Sequence, residues 1–190
     1  FLLDAQGTRW QDGPLTEAVR TGALCYLDEV VEARADTTVV IHPLTDSRRL
    51  LPLDRTGEQL RAHPAFQLVV SYNPDYQNES KSLKPSTRHR FVALELGHPD
   101  EATEVRIVAH EGGVDEALAR RLVSLAQGTR ALREHGLDEG ASTRMLVRAA
   151  TLIGAGMSAN DACTICVVQA LSDDPDLIAA LTRLVEAGFG

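Results

Sequence analysis

The 190-residue sequence lacks the pattern G-x-x-x-x-G-K-[ST], the loop with which many nucleotide-hydrolysing proteins hold phosphates. It also contains no G-x-S-x-G pattern for acyl transfer and no H-E-x-x-H pattern for a zinc protease. No apolar run reaches the length of a membrane span, and no charged-then-apolar secretory leader is present. We therefore expect no membrane partner and no esterase or zinc-protease chemistry.

Positive charge is scarce and is almost entirely arginine. The net charge is −8, and the only lysines are Lys81 and Lys84. Because no basic face is available to release counterions, the composition disfavours broad contact with nucleic acid. Arginine is suited to planar recognition of phosphate and carboxylate, so the arginines are the candidates for binding anions.

Cysteine is also rare. Three residues without framework spacing are typical of a reducing cytoplasm, where we expect the protein to act. Cys163 and Cys166 match C-x-x-C, but they lie inside a predicted helix with no second pair and no nearby histidine. We expect two small apolar side chains in a helical core rather than half a zinc site.

The first hundred residues have the pattern of an α/β region. A short helix begins at Gly13-Pro14 and precedes the first apolar strand. Strands are expected over 23–27, 66–72 and 91–96, with a helix over 30–44 and a small hairpin over 48–55.

Beyond residue 100 the pattern is helical only. Polar residues suited to capping begin four predicted helices, and these are Asp115, Ser142, Ser158 and Asp174. We therefore predict an α/β domain over 1–98 followed by an all-α domain over 99–190.

Two of the predicted strands end in polar residues suited to nucleotide hydrolysis. Strand 23–27 runs into Asp28-Glu29, and strand 66–72 ends at Asn73. Ligands of an open α/β sheet sit outside the carboxyl ends of its strands. There an aspartate can hold Mg²⁺ through its water shell, a following glutamate can polarise a water, and an amide can orient it. The alternative for Asp28 and Glu29 is a structural role as acidic residues at a helix N-terminus, where they suit the helix dipole. The alternative for Asn73 is an ordinary turn position before Pro74.

Three arginines are candidates for contacting phosphate. Arg88 and Arg90 precede the third predicted strand, and if exposed they are free to enter a neighbouring subunit's site. Arg144 is predicted at the start of a helix, where a cation is unfavourable to the helix dipole. Such conflicts with local preference concentrate at functional sites. Taken singly, Arg88 and Arg90 are also compatible with ordinary surface positions.

In order and spacing, these segments resemble an AAA+ ATPase of the MoxR type, over essentially the whole chain. Residues 24–29 resemble its Walker B motif, 72–74 its sensor 1, 86–91 its arginine-finger segment and 140–144 its sensor 2. Residues 28–34, 71–77, 135–140 and the ending from Ser172 resemble the CbbQ/NorQ branch in particular. The resemblance implies a parallel-sheet P-loop NTPase core with flanking helices, without its first strand and P-loop, and then a helical lid.

The resemblance also implies roles for the matching residues. Asp28 would support Mg²⁺, Glu29 would activate the water, Asn73 would be the sensor, and Arg144 would touch the γ-phosphate of ATP. The finger would be Arg90 from its place before the phenylalanine, with Arg88 as companion or rival. The segment 5–12 falls where this branch inserts a pore-facing loop, so Trp10 either contacts client protein or packs as an ordinary tryptophan.

The partners implied are a homo-hexameric ring and a CbbO-like protein with a von Willebrand factor A domain. The client is Rubisco in CbbQ-type proteins, which act as activases, in the cytoplasm or in association with carboxysomes. In NorQ-type proteins the client is nitric oxide reductase. A third hypothesis is a non-catalytic ring module. Because Phe1 is not a natural start residue, we expect Walker A to lie upstream, and the chain alone to be inactive.

Overall fold

The fold was analysed in a computed structural model that describes residues 2–4, 7–32, 39–73 and 83–190. The chain divides into two compact units, Phe1–Leu94 and Glu95–Gly190. All strands of the described residues lie in the first unit, and the second unit is helical. Each unit has an apolar core of its own.

The described part of the first unit contains three two-stranded sheets. Their strands are β1 Leu2–Asp4, β2 Gly7–Arg9, β3 Leu24–Leu27, β4 Leu50–Leu53, β5 Glu58–Arg61 and β6 Gln67–Val70. β1 pairs with β2 and β4 pairs with β5, both antiparallel, whereas β3 and β6 are parallel.

The parallel pair confirms the two apolar strands predicted over 23–27 and 66–72. Its register aligns Leu24 with Gln67 and Leu27 with Val70. The two strands therefore end side by side, and the polar residues that follow them emerge at one edge of the sheet.

The predicted helix after Gly13 is confirmed as α1, Pro14–Thr21. Proline at the first helical position has no N–H to leave unsatisfied, which favours a helix start there. The helix ends at Gly22, whose φ of 81° is the left-handed conformation that glycine tolerates. Ala18 and Val19 of α1 pack with β3, β4 and Phe66 in the core of this unit.

The predicted hairpin over 48–55 is confirmed in part. Its first strand is β4, but its second strand, β5, lies beyond the predicted end. The turn between them ends at Gly57, which has a φ of 71°. β5 was not predicted, because three of its four residues are polar or charged and it therefore lacks a clear apolar alternation.

The helix predicted over 30–44 is confirmed only at residues 39–40. Val30–Glu32 forms a single 3₁₀ turn, 33–38 lie outside the described residues, and 41–44 form turns. The β-branched run before Pro43 disfavours a long helix, and the N–H groups of Leu44 and Thr45 both donate to Ile41 O in a tight turn around Pro43.

The strand predicted over 91–96 is also wrong. Its alternate residues Val92, Leu94 and Leu96 are 95%, 89% and 92% exposed. A strand needs a neighbour to pair its N–H and C=O groups, and none of the described strands lies beside this segment. A short helix before it, α2, spans Pro85–Arg88.

The second unit confirms the four helices predicted from their capping residues. Asp115, Ser142, Ser158 and Asp174 each accept a backbone N–H of the first turn, and so does Asp100 before a helix that was not predicted. The helices are α3 Glu101–Gly112, α4 Glu116–Ala131, α5 Thr143–Gly154, α6 Ala159–Cys163, α7 Gln169–Leu171 and α8 Pro175–Phe189.

The C-x-x-C segment belongs to the core of this unit. Between α6 and α7 the helix continues as a π-helical turn, Thr164–Val168. Cys163 is fully buried, and burial raises the pKa of its thiol to about 12. Cys166 is half-buried and packs against the same core, so the prediction of an apolar role is confirmed. In the described part of the chain, no helix combines the length and apolar character of a membrane span.

Candidate functional site

The carboxylate of Asp28 lies at the shared edge of β3 and β6, where its orientation is fixed by two hydroxyl groups. Ser71 Oγ donates to Asp28 Oδ1 over 2.5 Å, and the Tyr26 hydroxyl donates to the same oxygen over 2.9 Å. Tyr26 and Asp28 are two residues apart, the spacing that places side chains on one face of a strand. The site therefore presents an exposed carboxylate held by its own sheet.

Ser71 also fixes the backbone that follows β3. Its N–H donates to Leu27 O over 3.0 Å, and its C=O accepts from Val30 N over 3.0 Å. Its side-chain oxygen accepts the N–H of Glu29 over 3.2 Å. Sequence reasoning gave Ser71 and Tyr26 no role, although both stand within two residues of a predicted site residue.

Glu29 has a φ of 50°, a left-handed conformation that is unfavourable for a residue with a Cβ. Its side chain is exposed, and its amide is held by Ser71. Backbone strain of this kind persists only where the surrounding structure imposes it, and it concentrates at active sites. The strained residue here is the one predicted to activate water.

Asn73 lies two residues beyond Ser71 and is half-buried. Residues 74–82, which include Tyr76 and Gln77, lie outside the described residues. Asp28, Glu29, Ser71 and Asn73 thus all follow the two parallel strands, which end side by side.

The two arginines near α2 have different surroundings. Arg90 is half-buried, and its Nη2 lies 4.0 Å from Asp46 Oδ2. Its Nε is buried and has no hydrogen-bond partner among the residues that the structure describes. Arg88, at the end of α2, is exposed and forms no ion pair with any described residue. Of the pair, Arg88 is therefore the side chain available to another molecule.

A buried contact anchors α2 next to these arginines. His42 Nε2 lies 2.9 Å from Oγ1 of the buried Thr87. Burial lowers the pKa of His42, and the charges of Arg90 and Lys84 lower it further, against the opposing effect of Asp46. Hydrogen bonds from Arg48 lower the pKa of Asp46 to about 2, with a smaller effect of Arg90.

Arg144 lies in the second unit, in the first turn of α5, and its side chain is exposed. The N-cap Ser142 accepts the N–H of Met145 over 3.4 Å. The cationic side chain of Arg144 at the N-terminal end of α5 is unfavourable to the helix dipole.

Trp10 is held by its own chain. Its indole N–H donates to Asp12 Oδ1 over 2.5 Å, and Asp12 also accepts from Arg20 Nε over 2.6 Å. Arg20 in turn makes two hydrogen bonds to Glu58 of the hairpin. The half-buried indole is compatible with both roles predicted for it; Ala5 and Gln6 of the predicted loop lie outside the described residues.

Comparison with known proteins identifies the family of this chain. A model described as CbbQ/NirQ/NorQ C-terminal matches residues 104–188, and one described as AAA domain (dynein-related subfamily) matches 2–91. Protein CbbQ of Hydrogenophilus thermoluteolus is 58% identical over 189 residues, which cover 100% of this chain and 71% of the relative. The chain belongs to the CbbQ/NirQ/NorQ family.

Other members of the family match as well as CbbQ does. The denitrification regulatory protein NirQ of Pseudomonas aeruginosa is 60% identical, over 97% of this chain and 71% of its own length. Protein NorQ of Paracoccus denitrificans is 54% identical, over 100% of this chain and 70% of its own length. These values do not single out one branch of the CbbQ/NirQ/NorQ family.

The match to the AAA domain confirms the predicted fold class, an α/β AAA+ core followed by a helical lid. Membership of this group indicates an ATPase in general, with nucleotide binding that typically involves Mg²⁺. The exposed carboxylate of Asp28 is a suitable group for binding that ion, since Mg²⁺ prefers carboxylate oxygens, waters and substrate phosphates. Among the described residues, no group of three or more His, Cys, Asp or Glu side chains forms a metal cluster.

Proposed function

We propose that this CbbQ/NirQ/NorQ family chain is part of an ATP-hydrolysing motor subunit that remodels a client enzyme. The observation that carries the proposal is the edge of β3 and β6, where Ser71 orients Asp28 beside the strained Glu29. An oriented carboxylate followed by a second carboxylate is what hydrolysis of a phosphoanhydride needs at the end of a sheet strand.

Within this proposal, Asp28 holds Mg²⁺ through its water shell, and Ser71 keeps the carboxylate in place. When bound there, Mg²⁺ would supply positive charge that offsets the charge developing on the phosphates. Glu29 accepts the proton of the attacking water, and Asn73 orients that water. Exposure of both carboxylates leaves room for the nucleotide at this edge.

Two arginines are assigned to phosphate contacts. We assign Arg144 to the γ-phosphate of ATP, and Arg88 to the site of the neighbouring subunit in a homo-hexamer. We assign the finger to Arg88, with Arg90 as its companion, because Arg88 is exposed whereas Arg90 lies beside Asp46. An arginine supplied by a neighbouring subunit raises the rate of phosphoryl transfer by a large factor.

The client we propose is Rubisco, with a partner that carries a von Willebrand factor A domain, in the cytoplasm or associated with carboxysomes. The identity of 58% to protein CbbQ is compatible with this client but does not single it out. Nitric oxide reductase, the client of NorQ-type proteins, is the second candidate, since protein NorQ of Paracoccus denitrificans matches the whole length of this chain.

The test is ATP turnover by the full-length gene product, with each client added in turn. We expect Mg²⁺-dependent turnover, and reactivation of sugar-phosphate-inhibited Rubisco in the presence of the partner protein. Activation of nitric oxide reductase alone would assign the second client. A ring that forms but hydrolyses no ATP would establish the non-catalytic interaction module and refute the motor.

A further inference from the structure

A buried ion pair lies beside the segment that leads into the helix of Arg144. Arg130, near the end of α4, donates to Glu104 in the first turn of α3: Nη1 to Oε2 over 2.8 Å and Nη2 to Oε1 over 2.7 Å. The Glu104 side chain is 1% exposed and that of Arg130 is 16% exposed. A pair removed from water in this way persists only when its remaining polar atoms are also satisfied.

The remaining polar atoms bind the chain just before α5. Arg130 Nε and Nη2 donate to Ala141 O over 3.0 and 2.8 Å, and Ala141 N donates to Thr129 Oγ1 over 2.9 Å. On the other side of the N-cap, Thr143 Oγ1 donates to Glu104 Oε1 over 2.7 Å. The backbone is therefore held both before and after Ser142.

Gly140 shows how closely the chain approaches Arg130. A Cβ at this position would lie 2.5 Å from Arg130 Cγ and 2.6 Å from Arg130 Cα. Since the Cα cannot move aside as a flexible side chain would, only glycine allows this approach.

The ion pair is not needed merely to join α3 to α4. The two helices share the apolar core, and exposed Gln127 of α4 already donates to Glu101 of α3 over 3.2 Å. Replacing a buried ion pair by apolar residues is often neutral or stabilising. What the pair adds is a fixed backbone three residues before Arg144.

We propose that Glu104 and Arg130 are positioning residues, which set where α5 begins and hence the direction in which Arg144 projects. The inference rests on the proposed role of Arg144 as a nucleotide contact. Neither Glu104 nor Arg130 needs to touch the nucleotide.

The test is a double-mutant cycle in the full-length gene product, with steady-state ATP turnover as the measurement. We expect Glu104→Gln and Arg144→Ala each to raise KM for Mg·ATP by about fivefold or more, and the double variant to be no worse than Arg144→Ala. Gln127→Ala, which removes a contact between the same helices away from Ala141, should leave KM unchanged. Multiplication of the two single effects, or an unchanged KM in Glu104→Gln, would overturn the inference.

A milder variant covers the case in which Glu104→Gln fails to fold. Thr143→Val removes one hydroxyl from Glu104 and should raise KM in the same non-additive way, whereas Thr143→Ser should restore it. If Arg144→Ala leaves both kcat and KM unchanged, the role of Arg144 in the proposed function is wrong. If Arg144→Ala is damaging and the effects multiply, only the positioning role is wrong.

Discussion

Ser71 donates a hydrogen bond to Asp28 over 2.5 Å, across the ends of two parallel strands. The same Ser71 oxygen accepts the N–H of Glu29. One hydroxyl therefore fixes the orientation of the first carboxylate and the backbone of the second. Because Leu27 pairs with Val70, the residues that follow them, Asp28 and Ser71, emerge side by side from the two strands.

Removing this hydroxyl should weaken the proposed metal site. In Ser71→Ala, the Asp28 carboxylate loses one of its two hydroxyl donors, so we expect a higher Mg²⁺ concentration for half-maximal ATP turnover and a kcat about tenfold lower. The measurement is turnover against Mg²⁺ concentration. Ser124→Ala, the same change at an exposed position of α4, is the control. An unchanged Mg²⁺ requirement in Ser71→Ala would show that Ser71 does not orient Asp28.

Backbone strain at Glu29 should be measurable as stability. Glycine adopts a φ of 50° without a steric penalty, whereas alanine retains the Cβ that causes it. We expect Glu29→Gly to have a free energy of unfolding about 1 kcal/mol higher than Glu29→Ala, measured by denaturant titration. Because glycine loses more backbone entropy on folding than alanine, an unstrained position would make Glu29→Gly about 0.5–1 kcal/mol less stable than Glu29→Ala, and that result would contradict the strain.

Arg88 and Arg90 should respond differently to removal. Arg88→Ala should abolish ATP turnover in the ring without changing the melting temperature of the chain. Arg90→Ala should lower the melting temperature, because Arg90 is half-buried beside Asp46.

Mixed rings test whether Arg88 acts in trans. Rings of Arg88→Ala alone or Glu29→Gln alone should be inactive, but mixing them should restore part of the turnover. A complete site then forms wherever an intact Glu29 meets a neighbour's Arg88. No recovery on mixing, or inactive rings with Arg90→Ala and active rings with Arg88→Ala, would contradict the assignment.

The Glu104–Arg130 pair should make the second unit sensitive to acid. Burial raises the pKa of Glu104, but hydrogen bonds from Arg130 and Thr143 and the charge of Arg130 outweigh it, so the folded pKa lies below its ordinary value of 4.5. As the pH falls, the Glu104 carboxyl is therefore protonated in the unfolded chain at a higher pH than in the folded chain. The stability that this carboxylate contributes is lost as the pH falls below 4.5.

The corresponding measurement compares wild type with Glu104→Gln. The difference in their free energies of unfolding should be largest near neutral pH and should shrink as the pH falls below 4.5, the ordinary pKa of the carboxyl. Glu116→Gln, which alters an exposed pair with Arg120, should show little difference at any pH. A difference that stays constant with pH in Glu104→Gln would contradict a lowered pKa.

The sequence correctly predicted the helices and strands that depend on local residue pattern. Capping residues such as Asp115 and Ser142 marked helix starts correctly, because the cap acts on its own first turn. The apolar runs that became β3 and β6 were equally clear. The strand over 91–96 failed because a neighbouring strand, rather than local pattern, decides whether such a segment forms a strand. The helix over 30–44 is helical in the described residues only at 39–40, and its β-branched run before Pro43 was a local signal against a long helix.

The predicted site was incomplete for a related reason. Asp28, Glu29 and Asn73 could be found from their places after apolar strands. Ser71 gains its role only from the register of two strands that lie 40 residues apart, as Leu27 pairs with Val70. Glu104 is similar, since a glutamate in a helix is usually exposed and only Arg130 and Thr143 make its burial tolerable.

The proposed motor activity depends on hydrolysis of ATP at the strand edge that carries Asp28 and Glu29. The most direct measurement compares ATP turnover and nucleotide binding in the full-length gene product with those of Glu29→Gln. We predict that turnover is abolished while the affinity for ATP stays within about twofold of wild type, since Glu29 acts on water rather than on phosphate. Turnover that survives in Glu29→Gln would exclude Glu29 as the residue that activates water and would contradict ATP hydrolysis at this strand edge.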